Sequence, residues 1–228
     1  NPDAILHFTD PRYWVWMYQM EHEIRQKCPL IFYTIWDDVP YPMWNREYYR
    51  SDDMLLCISK QTENIVKNVL KDYPKPDWAI KYLPHGINEN KFFPIKNDPK
   101  FETWKNNFNQ GEEKDFIVFW NSRNIRRKNA PDIILAWRTF LDQLPEEKAK
   151  KCLLIMKTEK VFNAGTDLPV VIDALCDPKK HQVKIIDERL NEENLNYLYN
   201  ISDAHMFMTD NEGWGLGLTE SLTTGRMI

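Results

Sequence analysis

Short, continuous apolar runs recur along this chain, each followed by a stretch in which apolar residues return every three or four positions. The runs AILHF (4–8), LIFYTIW (30–36), MLLCIS (54–59) and AIKYL (79–83) lie in the first part. FIVFW (116–120), CLLIMK (152–157), VKII (183–186) and AHMFMT (204–209) lie in the second. Runs of this length without alternation predict strands buried on both faces, as in parallel sheets covered by helices. Helices are predicted over 10–27, from 60 to Tyr73, and over 131–144, 168–176, 192–201 and 218–224. Pro11, after Asp10, fits the first turn of one helix, and Ser59 fits an N-cap of the next. Between the two groups, residues 94–115 carry prolines, asparagines and charges with weak periodicity, and read as a linker with one short helix.

Alternating strands and helices predict two doubly wound α/β domains, and ligands in such folds bind at the carboxyl ends of the strands. Two such domains facing each other would form a cleft there. A new strand is expected at GRMI, where the chain ends; with Asn1 in place of methionine at the start, this suggests a fragment at both ends.

Composition narrows the function classes. The chain has 228 residues and a formal charge of −4, so no global basic field draws it to nucleic acid. No apolar run approaches the length that spans a bilayer. The four cysteines, Cys28, Cys57, Cys152 and Cys176, sit in apolar runs without paired spacing, which predicts buried free thiols and a reducing, cytoplasmic setting. The sequon at Asn200 falls inside a predicted helix and reads as chance. The stripe Tyr13, Trp14, Trp16, Met17, Met20 and Ile24 reads as helix core, whereas Trp36 and Trp44 flank the strand-end loop DDVPYP.

Chemistry concentrates in three places. Four of the seven glycines, Gly213, Gly215, Gly217 and Gly225, lie in DNEGWGLGLTESLTTGRMI, flanked by Glu212 and Glu220. Glycines between a strand and a helix let the backbone approach a ligand, and the helix N-terminus receives an anion such as phosphate. Carboxylates there repel phosphate but accept from hydroxyls. A ligand with both phosphates and hydroxyl-rich rings, such as a nucleotide sugar, fits both features. The second place is the basic loop after FIVFW, with Asn121, Arg123, Arg126, Arg127, Lys128 and Asn129; its cations suit a diphosphate leaving group. The third is His85-Gly86 in LPHGINENKFFPI, after a strand of the first domain.

Together these stretches resemble the retaining, nucleotide-sugar-dependent glycosyltransferases of family 4, which have the GT-B fold. EGWGLGLTE is similar to the EX7E motif, with Glu212 and Glu220 separated by seven residues. SRNIRRKN resembles the arginine–lysine phosphate pair, with Arg123 and Lys128 in those positions, and LPHGIN…FFP resembles the segment closing the N-terminal domain. The resemblance implies an α/β protein of two Rossmann-like parallel-sheet domains facing a cleft, both incomplete. Residues 1–95 would be the end of the acceptor-side domain, 96–115 the linker and 116–228 the truncated donor domain. It implies that Glu212 contacts hydroxyls of the transferred sugar and Glu220 the ribose. Arg123 and Lys128 would steady the leaving diphosphate. Amides around Trp214, Gly215 and Leu216 would meet the phosphates, and the base would lie near Asp187 to Leu190. His7, Asp10 and His85 would line the acceptor side.

Asp-x-Asp is absent from the sequence, so metal-independent transfer is expected, with no cofactor beyond the donor nucleotide sugar. The acceptor, a glycan, a lipid-linked sugar or another molecule, is left open, as is the oligomeric state. Peripheral contact with a membrane belongs to the expectation, since many relatives dock there. The family's opening glycine-rich loop and closing helix have no counterpart in the sequence. A non-catalytic binder of sugar nucleotides and a GT-B-fold epimerase are the alternatives.

Overall fold

The structure, a computed structural model, describes residues 2–228. The described residues form two compact units: those up to Gly86 with Asn211–Trp214, and Ile87–Asp210 with Gly215–Ile228.

The first unit runs β1 (Ile5–Phe8), α1 (Val15–Tyr18), α2 (Glu21–Arg25), β2 (Leu30–Thr34), α3 (Arg46–Ser51), β3 (Met54–Cys57), α4 (Lys60–Val69) and β4 (Ile80–Tyr82). Its sheet is parallel throughout, in the order β1-β2-β3-β4, with Phe32 opposite Leu55 and Leu55 opposite Ile80. Ser59 caps α4 by accepting from the Thr62 amide at 3.0 Å, as expected of that residue. Ile65, Val66 and Val69 of α4, and Leu70 after it, pack with Phe32, Tyr49, Leu55 and Ile80. Each such side chain stabilises the fold by about 1.5–3 kcal/mol when fully buried. α4 stops at Val69, short of the expected Tyr73.

Two expectations for this unit fail. The helix expected over 10–27 is a 3-10 turn, Pro11–Trp14, followed by the separate α1 and α2. The aromatic stripe on it is not core. Met17 is buried, but Tyr13, Trp16 and Met20 are 76%, 57% and 44% exposed. Strand β4 is an edge, and Lys71, Lys75, Lys81, Pro74 and Pro76 line a groove of about 650 Å³ beside it with Lys60 and Lys67. Lysines and prolines at an edge discourage further strand pairing, which accounts for the composition of this groove.

The second unit contains α5 (Pro99–Phe108), β5 (Phe116–Asn121), α6 (Ala130–Asp142), α7 (Glu146–Ala149), β6 (Cys152–Lys157), α8 (Leu168–Leu175), β7 (Val183–Ile186), α9 (Glu192–Ile201), β8 (Ala204–His205) and α10 (Leu216–Thr223). The parallel strands run in the order β7-β6-β5-β8, with Val118 opposite Ala204 and Phe119 opposite Ile155. Alternation along β5 sorts its side chains to two faces. Val118 and Trp120 join Ile133, Ile134, Trp137 and Leu141 of α6 and Leu168 of α8. Ile117 and Phe119 join Tyr197, Leu198 and Tyr199 of α9. Burial on both faces is what made these strands read as unbroken apolar runs.

The expected linker contains α5, capped by Asp98 with Pro99 in its first turn. Its Phe101 and Trp104 rings pack on Tyr197 at centroid distances of 5.3 Å each. Asn200, the sequon residue, is buried and ties down the segment before α5: its amide donates to Phe93 O at 3.0 Å and accepts from Ile95 N at 2.8 Å. The AHMFMT run pairs over only two residues, and Met227 bridges Ala204 in parallel, where the terminal strand was expected. All four cysteines are free and buried among the described residues, and burial pushes the Cys57 thiol up to about 12. No helix among the described residues is long and apolar enough to cross a membrane.

Candidate functional site

At the carboxyl edge of the second unit's sheet, the loops after β5, β6, β7 and β8 form a hydrogen-bonded rim. The basic loop after β5 is fixed to the loop after β6 through Asn124, whose side chain is buried. Its Nδ2 donates to Glu159 O at 3.1 Å and Thr166 O at 2.6 Å, while its Oδ1 accepts from Thr166 N at 3.0 Å. The loop after β6 reaches that after β7 where Lys160 N donates to Asp187 Oδ2 at 3.3 Å, three residues before Leu190. On the other side, Arg127 O accepts from Asp210 N at 2.9 Å and from Thr209 Oγ1 at 3.1 Å. Asn129, in the left-handed conformation at φ 50° between a 3-10 turn and α6, donates to Asp210 Oδ1 at 2.8 Å. The basic loop and the strand leading to the glycine cluster are therefore neighbours in one rim.

Arg123 stands at this rim with its side chain 66% exposed, its Nε 3.4 Å from Glu159 Oε1 and its guanidinium 4.9 Å over the Phe162 ring. Glu159 Oε2 also accepts from the backbone N–H of Asn124 at 3.0 Å, and that hydrogen bond, more than the Arg123 pair, holds its carboxyl below the usual range. An exposed ion pair of this kind contributes about 0–1 kcal/mol, so Arg123 is readily exchanged onto another anion. Lys128, in the 3-10 turn Arg126–Lys128, is buried. Glu159 was missed in the sequence; its signal was a carboxylate two residues past a strand end, the same position that marked the basic loop after β5.

Helix α10 brings the second motif glutamate to the end of β5. Gly215 takes the left-handed conformation at φ 84° as its N-cap, without a side-chain cap, so the first-turn amides Leu216, Gly217 and Leu218 are held by no capping side chain. Gly217 is required by contact: a Cβ there would lie 3.2 Å from Asn121 O and 3.5 Å from Tyr199 Oη. That close approach places Glu220 one turn further along, where its Oε2 accepts from Tyr199 Oη at 2.6 Å. The same hydroxyl accepts from Asn121 Nδ2 at 2.9 Å. Asn121 is the last residue of β5, two before Arg123. Burial raises the Glu220 carboxyl, against which the Tyr199 hydrogen bond acts, and burial keeps His205 neutral down to about 4. Leu216 is 45% exposed on the same helix.

The remaining expected residues lie in the first unit. Glu212 and Trp214 belong to the Asn211–Trp214 segment packed there, where a Cβ on Gly213 would come 2.9 Å from Ile35 O. His85 follows β4, half-buried, with Nδ1 2.6 Å from Gly86 O. His7 does not line a surface. It is buried, stacked on Phe32 at 4.3 Å, with Nε2 3.3 Å from Asp52 Oδ1 and 2.8 Å from Tyr18 Oη. Asp10 is a cap: it accepts from the Arg12 amide at 2.9 Å and pairs with the Arg12 guanidinium, which lowers its carboxyl pKa. Trp36 and Trp44 meet edge to face at 5.6 Å, and Trp44 is 55% exposed.

Two Rossmann-like parallel-sheet domains with flanking helices define a GT-B type fold, present here in part. The chain is similar over 97% of its length to a solved trehalose-6-phosphate synthase, OtsA, at 13% identity and TM-score 0.73, covering 55% of that chain. It is also similar over 97% to a UDP-forming α,α-trehalose-phosphate synthase from Burkholderia xenovorans, at 11% identity and TM-score 0.74, covering 56% of that chain. A third likeness, over 98%, is to the E. coli trehalose-6-phosphate protein bound with UDP-2-fluoro glucose, at 13% identity and TM-score 0.73, covering 56% of it. The chain thus spans just over half the length of these structures. No protein-family model matches the sequence. No curated protein matches it either.

Proposed function

We propose that this chain belongs to a retaining glycosyltransferase that moves a sugar from a nucleoside diphosphate sugar to an acceptor, and that its second unit holds the donor nucleotide. The observation that carries the reading is the chain of contacts from Glu220 through Tyr199 to Asn121, which joins the second motif glutamate to the end of the strand bearing the basic loop. The GT-B type fold supports it at the level of fold. In this reading Glu220 binds the ribose of the nucleotide, and Arg123 and Lys128 take the diphosphate. The uncapped amides of α10 add the positive end of a helix to the same charge. Glu212 holds hydroxyls of the transferred sugar. The base lies near Asp187 to Leu190, and the first unit, His85 included, serves the acceptor.

The bond from the anomeric carbon to the β-phosphate oxygen breaks, and a bond from that carbon to the acceptor oxygen forms on the same face. The acceptor proton passes to the departing phosphate, and the charge growing there falls on Arg123 and Lys128. Reaction at the cytoplasmic side, with or without contact to a membrane, completes the proposal. A second reading, binding without turnover, draws on the Arg123–Glu159 pair, which engages the Arg123 guanidinium with a carboxylate of the protein itself. A transfer assay with the radiolabelled donor distinguishes the two.

The test of donor binding is a melting screen with UDP, ADP, GDP and their glucose conjugates, each at millimolar concentration. One nucleoside diphosphate at a hundred times its Kd adds about 2.7 kcal/mol of stability, while the matching nucleoside without phosphates adds little. UDP is the first probe because two of the similar structures carry it in their descriptions. Unchanged melting with every diphosphate contradicts the reading.

A further inference from the structure

The hydrogen bonds around Glu220 restrict how its carboxylate meets a ligand. Tyr199 is fully buried on α9, fixed by the Phe119 ring at 5.0 Å, the His205 ring at 5.5 Å and the Phe92 ring at 5.8 Å. Its hydroxyl has one proton. Asn121 Nδ2, a donor, faces it at 2.9 Å, so that proton goes to Glu220 Oε2 at 2.6 Å. Glu220 Oε1 has no donor among the described residues. Tyr199 from α9 is the hydrogen-bond partner of Glu220; Asn121 from β5 lies behind that hydroxyl, and His205 from β8 lies beside Gly217 on the same helix; no lysine or arginine among the described residues pairs with Glu220.

We propose that Tyr199 is a positioning residue for Glu220: it occupies one carboxylate oxygen, so that Glu220 grips a single ring hydroxyl of a bound nucleotide through the other. This rests on the reading of Glu220 as a nucleotide ligand. A carboxylate free at both oxygens chelates a vicinal diol, whereas one with a single open oxygen discriminates between its two hydroxyls. The same hydrogen bond stabilises the charged form that accepts from the ligand. Burial raises the Glu220 pKa, and the tyrosine proton opposes the rise. Removal of the phenol hydroxyl therefore moves the loss of binding on acidification to higher pH. His205 is neutral over this range, since it titrates near 4.

The experiment is calorimetric titration of the 228-residue chain with UDP, 2′-deoxy-UDP and 3′-deoxy-UDP, then of Tyr199→Phe with the same three probes and with UDP from pH 7.5 to 5. For the unaltered chain, one deoxy analogue binds about tenfold more weakly and the other within about twofold of UDP. In Tyr199→Phe that preference narrows to about threefold or less, and the acid midpoint for UDP binding rises. A merely structural role lowers the melting temperature but moves neither the preference nor the midpoint. Equal losses for the two analogues in the unaltered chain overturn the proposal without need of a variant, as does an unmoved midpoint in a folded Tyr199→Phe. Glu220→Gln with undiminished UDP affinity overturns the underlying reading of the site instead.

Discussion

Each unit holds a tyrosine hydroxyl against a carboxylate, and the two clusters differ in whether the second carboxylate oxygen has a partner. In the first unit Asp52 is fully buried, with Oδ1 3.3 Å from His7 and Oδ2 accepting from Tyr18 at 2.8 Å. The Lys75 ammonium lies nearby, donating to the carbonyls of Arg50 and Asp52. Both oxygens of Asp52 have partners inside the protein, and no acceptor is left for a ligand. In the second unit Glu220 has one oxygen on Tyr199 and the other open, on a helix whose glycines bring it against the end of β5. Residue types alone do not separate these cases. Saturation of the carboxylate makes a strut; in the proposed reading, one open oxygen beside uncapped amides makes a binding site. Burial raises the pKa of both carboxyls, so the shift by itself does not tell a strut from a ligand-binding group.

The largest effect that breaks this comparison is expected at Asp52. Asp52→Ala leaves the buried His7 and the half-buried Tyr18 without their acceptor and costs about 3–5 kcal/mol, read as a fall in the urea midpoint. It leaves nucleotide affinity at the second unit unchanged.

The two buried histidines sharpen the comparison next. His7 has a carboxylate partner, whereas neither ring nitrogen of His205 has a hydrogen-bond partner among the described residues. The folded pKa of His205 is lowered from 6.5 to about 4, so the neutral form is favoured by folding. Its contribution is complete above 6.5 and is lost as pH falls towards 4, because the unfolded chain binds the proton first. The loss amounts to about 3 kcal/mol at most. Denaturation at pH 7 and pH 4.5 measures it, and His205→Gln flattens that dependence.

A smaller effect is expected at Gly217. Gly217→Ala sets a Cβ 3.2 Å from Asn121 O, which forces α10 to shift by a few tenths of an ångström. Strain of about 1–2 kcal/mol is partly offset by the higher helix propensity of alanine, about 1 kcal/mol. The stability change is therefore about 1 kcal/mol or less, read from the melting temperature. Nucleotide binding falls more than stability does, because Glu220 moves with the helix.

The parallel strands were legible because their pattern is dense: FIVFW and CLLIMK are buried at nearly every position. The cap at Ser59 was legible because capping is local. The stripe from Tyr13 to Ile24 misled, since helical spacing shows that residues share a face but not that the helix continues or that the face is covered. The chain breaks near Gln19 and Met20, and most of the aromatic rings there are exposed. His7 at a strand end resembled a site residue. Its partner Asp52 lies 45 positions away, and only the tertiary fold joins them. The reverse holds for Glu220, whose motif was plain, while its partner Tyr199 sat unnoticed in an apolar helix face 21 positions earlier. Asn124 and Glu159 escaped for the same reason: their roles are contacts between loops, with no periodic signature.

The proposed function puts a nucleoside diphosphate at the open oxygen of Glu220 and the rim beside it. Calorimetric titration of UDP into the unaltered chain and into Glu220→Gln tests this most directly. The expected result is saturable binding to the first and a loss of about 1–3 kcal/mol in affinity for the second, with melting temperatures that stay close. Equal affinity for the two folded proteins, or no binding of UDP, ADP or GDP by the unaltered chain, contradicts it.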